Sequence, residues 1–172
     1  MLGPANQEIL MRARTDLRLG VPIVLAGEEN EAIIAPIEVL SQSRLDEITL
    51  FYEVSFILIT ARRAQTLNCS IYDGNFVRIE LGQASEITSL KAIADPSLDL
   101  KNPLKGPFNV IRDKTLKLEN ETLLLLKSAQ LLPAAIVSQI TDGKKYASDH
   151  NLTYLQTDQL LEMAISPRSL SD

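Results

Sequence analysis

Short runs of β-branched and aliphatic residues recur along the chain: PIVLA (22–26), AIIAPIEVL (32–40), VSFILIT (54–60), FVRIEL (76–81) and AAIVSQI (134–140). Runs of this length bounded by turn signals read as strands, and a continuous apolar run such as VSFILIT reads as buried on both faces. Segments of helical period separate them. In PANQEILMRARTDLRLG, residues Ile9, Leu10, Ala13 and Leu17 fall on one helical face, with Pro4 near the start and Gly20 as the stop. SRLDEITLFYE and ARRAQTL read as helices, and Ser85 is placed as the N-cap of EITSLKAIA, which Asp95-Pro96 ends. ENETLLLLKSAQLL is the strongest helix, stopped by Pro133. NCSIYDGN reads as a turn and SLDLKNPLKGP as a loop, and the last part as a short helix, an extended piece and a helix capped at Thr157. Helices interleaved with strands predict an α+β or layered α/β domain, with helices covering a mixed sheet. Residues 1–165 are expected to form that domain, and 166–172 a polar tail or the start of a linker.

A chain of 172 residues, 45% hydrophobic and 23% charged, can bury one core unaided. The net charge of -5 leaves no basic stripe to release counterions from a polyanion, so nucleic acid is not an expected partner. Cys69 is the only cysteine, which excludes an internal disulfide or a thiolate metal cluster and suits a reducing compartment. MLGPANQEILMRAR lacks an apolar leader core and no later run is long enough to span a bilayer; no membrane partner and a cytoplasmic location are the expectations.

His150, the only histidine, stands between Asp149 and Asn151 as a surface turn residue, with no nucleophile motif to serve. Cys69 lies in a polar loop with neither CxxC nor a basic helix end. The glycines form neither GxGxxG nor GxxxxGK[ST]. The remaining constellation is LAGEENEAIIAPIE (25–38), where Glu28, Glu29 and Glu31 sit between two strand-like runs. In an extended chain Glu29 and Glu31 point to one side and suit magnesium, which takes one or two protein carboxylates and completes its shell with water and substrate oxygens. A solvated turn of acidic residues is the other reading.

QASEITSLKAIADPSLDLKNPLKGPFNVI (83–111) resembles a stretch of the 3,4-dihydroxy-2-butanone 4-phosphate (DHBP) synthases of riboflavin biosynthesis. There a phosphate-site helix rich in Asp, Arg and Thr leads through an "ADP" turn into a Gly-His-x-Phe-Pro segment. LRLGVPIVLAGEENEA resembles the opening of that family, where Asp-Arg-Glu-x-Glu-x-Asp follows the first strand. TARRAQTLN resembles its Pro-Glu-Arg-Ala-Asp-x-Leu helix, and ETLLLLKSAQLLPAAIVSQI its Gly-His-Thr-Glu helix and a later strand with Glu-Ile. The order and spacing agree over residues 8–165. The resemblance implies an α+β fold, a homodimer with shared active sites, and magnesium-dependent conversion of ribulose 5-phosphate to the four-carbon phosphate and formate. In many bacteria the domain is fused ahead of GTP cyclohydrolase II.

Carried over residue by residue, the family's functional groups are mostly replaced. Glu29 and Glu31 match the acidic motif's glutamates, but its arginine falls on Glu28 and its final aspartate is missing. In the phosphate-site helix Thr88 and Ser89 match as substrate-binding positions, whereas Ser85 stands for the Asp and Glu86 for the Arg, which removes a bidentate phosphate clamp. The Gly-His-Thr-Glu motif, whose histidine is a metal ligand in the family, falls on 118–121 to within one residue, where no histidine exists. The Gly-His-x-Phe histidine falls on Gly106 or Pro107, and the late glutamate on Gln139, which cannot ionise. The leucines at 123–126 suggest a site filled by packing. The expectation is a DHBP-synthase-like domain without catalysis and without a cofactor, serving a structural, dimerising or regulatory role, as a homodimer and fused to or partnering GTP cyclohydrolase II. In this reading Glu29 and Glu31 are vestigial metal positions and Thr88 and Ser89 vestigial substrate positions. The alternative is an active magnesium-dependent lyase that uses Glu29 and Glu31.

Overall fold

In the computed structural model residues 2–71, 74–101 and 106–160 are described. The expected tail and the end of the domain, 161–172, lie outside them, as do parts of the 68–75 turn and the 97–107 loop. The strands are β1 (Ile23–Ala26), β2 (Glu31–Pro36), β3 (Ser55–Thr60), β4 (Phe76–Glu80), β5 (Ala134–Ile140) and β6 (Tyr154–Gln156). The helices are α1 (Asn6–Arg18), α2 (Gln42–Ile48), α3 (Ala61–Thr66), α4 (Ile87–Ala94), α5 (Glu119–Ser128) and α6 (Gly143–His150). The six strands form one sheet in the order β4-β3-β5-β2-β1-β6. Its pairs are antiparallel except β1 with β6, so the sheet is mixed and covered by helices, as the interleaved pattern predicts.

Strand alternation divides the core between the two faces of the sheet. Phe56 and Leu58 of β3 and Ala135 and Val137 of β5 pack with Leu10, Ala13 and Leu17 of α1 and Leu123, Leu125 and Leu126 of α5. Their neighbours Ile57, Ile59, Ala134 and Ile136 pack on the opposite face with Leu45 and Ile48 of α2, Ala64 of α3 and Leu90 and Ile93 of α4. Central strands buried on both faces explain why VSFILIT and AAIVSQI read as unbroken apolar runs.

The ends of several elements differ from the sequence reading, each for a local reason. AIIAPIEVL is extended only to Pro36 and then makes a 3-10 turn, Ile37–Val39, which sets the Glu38 carboxylate against the Leu132 N–H at 2.6 Å. SRLDEITLFYE leaves the α-helix at Ile48 for a 3-10 stretch, Thr49–Val54, broken by the non-helical Phe51; its β-branched and aromatic residues are weak helix formers. Ser85 is not the cap of α4: its hydroxyl donates to Gly82 O at 2.7 Å, Glu86 occupies the cap, and the Ile87 N–H donates instead to Gln42 Oε1 at 2.8 Å. The helix α5 closes before Pro133, because Gln130 turns left-handed (φ 62) and the Leu131 N–H returns to Leu126 O. Thr157 is already helical, with the Gln156 N–H held by Gln159 Oε1 at 2.8 Å. Gly20 does end α1, at φ 81, where a Cβ would lie 2.3 Å from Val39 O.

Register brings the regions of interest to one end of the sheet. Ala26 pairs with Glu31 across the β1–β2 hairpin, Glu31 pairs with Ile140 at the end of β5, and Ser138 pairs with Ser55 at the start of β3.

Candidate functional site

The hairpin tip at this end, residues 27–30, is closed by the Gly27 N–H donating to Asn30 O at 2.9 Å. Glu28 and Glu29 are exposed. Glu29 lies in the turn, where strand alternation no longer applies, and its carboxylate accepts from Lys117 Nζ at 3.1 Å. That hydrogen bond and charge, with Lys114 adding to them, hold its carboxyl below the usual glutamate range. Glu31, the first residue of β2, turns elsewhere. Its Oε1 accepts the Gly143 N–H at 3.1 Å and its Oε2 accepts the Tyr154 hydroxyl at 2.9 Å, which fastens β2 to the start of α6 and to β6. Burial, and then Glu31 itself, push the Tyr154 hydroxyl up. The two carboxylates predicted to converge are therefore bound by different partners.

Facing the tip is the segment 113–119, organised by charges that the sequence reading did not single out. Glu119 is 1% exposed, and its carboxylate accepts the N–H groups of Leu116 and Leu118, each at 3.0 Å. Arg78 of β4, 6% exposed, sets Nε 3.8 Å from Glu119, donates to the carbonyls of Asp113 and Lys114, and lies over the Phe56 ring at 5.5 Å. FVRIEL alternates like a half-buried strand, but helices and loops cover both faces, so Arg78 lies inside and requires a counter-charge. The signal available was an arginine on the same alternating face as Phe76.

Between the two N–H groups held by Glu119 sits Lys117, with φ 62, a backbone conformation that glycine adopts without strain. Leu118 is fully buried, and its Cδ2 would lie 2.8 Å from a Cβ on Gly27, so only a glycine fits beneath it without displacing it. Asn30 completes the contact: its Nδ2 donates to Leu116 O and its Oδ1 accepts from Gln139 Nε2, both at 3.1 Å. Gln139 is thus at the tip, as an amide in a hydrogen-bond chain.

Thr88 and Ser89 are exposed on the first turn of α4 and, among the described residues, make no hydrogen bond to the tip. Gly106 and Pro107 are joined by a cis peptide bond. His150 is the exposed last residue of α6, its ring stacked on Tyr146 at 4.1 Å. Cys69 is half-buried, and burial pushes its thiol up, away from the reactive thiolate. A cavity of about 330 Å³ lies at the other end of the sheet beside Arg63. That guanidinium uses its donors inward, on Asp99, Thr66 and the Ala92 and Ile93 carbonyls at the end of α4, which makes it a structural clamp.

The residues present do not fit magnesium at the tip. Glu29 already holds an ammonium, Glu31 holds an N–H and a hydroxyl, and position 118 is apolar. No group of three or more His, Cys, Asp or Glu that could hold a metal ion occurs among the described residues.

The six-stranded mixed sheet between helical layers has the fold of the DHBP synthases. RibBX, a two-domain 3,4-dihydroxy-2-butanone 4-phosphate synthase from A. baumannii, matches with a TM-score of 0.66 and 13% identity over 95% of this chain; this chain spans 59% of that one. The synthase of Candida albicans matches at 0.65 and 14% over 91% of this chain and 97% of its own. A synthase in complex with two magnesium ions matches at 0.68 and 10%, over 97% and 99%. No protein-family profile and no curated protein matches the sequence. No helix among the described residues is long and apolar enough to cross a membrane.

Proposed function

We propose that this chain is a DHBP-synthase-like domain that has lost synthase catalysis and serves a structural, dimerising or regulatory role in riboflavin biosynthesis. In this reading it forms a homodimer and is fused to, or partners, GTP cyclohydrolase II. The observation that carries the reading is the contact at the hairpin tip. The segments that hold the metal in the resembling enzymes do meet here, but through a Glu29–Lys117 ion pair and the buried Leu118. A reaction that rearranges a ketose phosphate and releases formate needs charge stabilisation and groups that accept and return protons. Gln139 bonded to Asn30 cannot exchange a proton, and Glu86 stands where an arginine would hold the phosphate. Formate release from ribulose 5-phosphate with magnesium tests the proposal. No turnover above a no-enzyme control is expected; turnover at an ordinary enzymatic rate, on the order of 1 per second or more, overturns it in favour of an active lyase. Sedimentation of the purified chain as a monomer at all concentrations would remove the dimerising role.

A further inference from the structure

We infer that Lys117 is the resident cation of the hairpin tip: its ammonium takes the place of a divalent ion at Glu29, so that residues 27–30 and 116–119 join without metal and exclude it. The inference rests on the preceding reading of the tip as the place where a metal would sit.

The position of Lys117 is built from the core outward. The buried Glu119 carboxylate binds the N–H groups on both sides of it, Leu116 and Leu118, and Arg78 holds that carboxylate from below. The backbone at 117 is thereby set in the left-handed region, Leu118 is directed into the core against Gly27, and the lysine side chain is left to reach Glu29 Oε1 at 3.1 Å. Asn30 donating to Leu116 O holds the same two segments at the same distance. An ammonium offers donors and no lone pair, so it satisfies a carboxylate as a hard cation would but cannot serve as a ligand to one. It also repels an arriving cation, and Lys114 adds a second positive charge near Glu29.

Manganese binding, followed by electron paramagnetic resonance and calorimetry, tests this on the wild-type chain, Glu29→Gln, Lys117→Asp, Lys117→Asn and the double variant Glu29→Gln with Lys117→Asp. Position 117 is exposed, and Asp and Asn adopt its backbone conformation more readily than Lys, so these variants keep the fold. The wild-type chain is expected to show no saturable binding up to about 10 mM, and Lys117→Asp, which opposes two carboxylates, to bind with a dissociation constant of about 1 mM or below, about tenfold or more tighter than wild type. Lys117→Asn binds more weakly than Lys117→Asp, and the double variant loses the gain. Saturable manganese binding by the wild-type chain that Glu29→Gln abolishes overturns the inference, as does a Lys117→Asp variant that binds no better than wild type. A wild-type chain that binds manganese at Glu29 and releases no formate defeats this inference alone. Formate release without manganese binding defeats the proposed function alone.

Discussion

Glu119→Ala is expected to destabilise the protein by about 4 kcal/mol, because it removes the group around which the segment before α5 is organised. The carboxylate is 1% exposed and accepts two backbone N–H groups at 3.0 Å, and truncation to a methyl leaves both donors buried and unbonded. Each orphaned donor costs roughly 1–3 kcal/mol. The Arg78 guanidinium loses its counter-charge, although the Asp113 and Lys114 carbonyls and the Phe56 ring still hold it, which places the sum within the roughly 3–5 kcal/mol typical of breaking a buried pair. Glu119→Gln keeps one oxygen acceptor and should cost about half as much, roughly 2 kcal/mol. Urea denaturation measures both, as a lower midpoint at unchanged slope. By thermal melting Glu119→Ala appears as a fall of roughly 8–16 °C for a chain of this size. Hydrogen exchange adds a local readout, since the Leu116 and Leu118 amides should lose protection in Glu119→Ala first. A loss below about 1 kcal/mol, or amides that stay protected, would refute the view that Glu119 organises this segment.

Three further outcomes can be measured. Gly20→Ala should cost roughly 3 kcal/mol or more in chemical denaturation, since φ 81 strains any side chain and the new Cβ would lie 2.3 Å from Val39 O. Gly27→Ala should cost roughly 1–3 kcal/mol, because its Cβ meets the buried Leu118 at 2.8 Å, and a second substitution, Leu118→Ala, should relieve part of that clash. The Tyr154 hydroxyl is pushed above its ordinary value of about 10, so the folded state favours its neutral form. Its stabilising contribution is therefore complete below pH ~10 and is lost as the pH rises through the raised value. In an ultraviolet difference titration of wild type against Tyr154→Phe, the missing tyrosine should titrate above the ordinary value; Glu31→Gln should lower its midpoint.

Periodicity made the elements legible because the signals it uses are local. VSFILIT and AAIVSQI are apolar throughout since each strand lies between two helical layers, and Ile9, Leu10, Ala13 and Leu17 mark the inward face of α1. Element ends were less legible where a distant residue decides them. Ser85 looks like a cap until Gln42, on another helix, satisfies the Ile87 N–H, and Pro133 looks like the stop of α5 until Gln130 turns left-handed ahead of it.

The sequence by itself determined the α+β class and the strand and helix order, because periodicity and spacing are properties of the chain alone. Tertiary structure alone decided what Glu29 and Glu31 do. Two residues apart in sequence, they are separated by the turn: one meets Lys117, 88 residues away, and the other meets Gly143 and Tyr154, 112 and 123 residues away. The charge state and usefulness of a carboxylate depend on what lies within a few ångströms of it, and no local pattern records a neighbour brought there by folding.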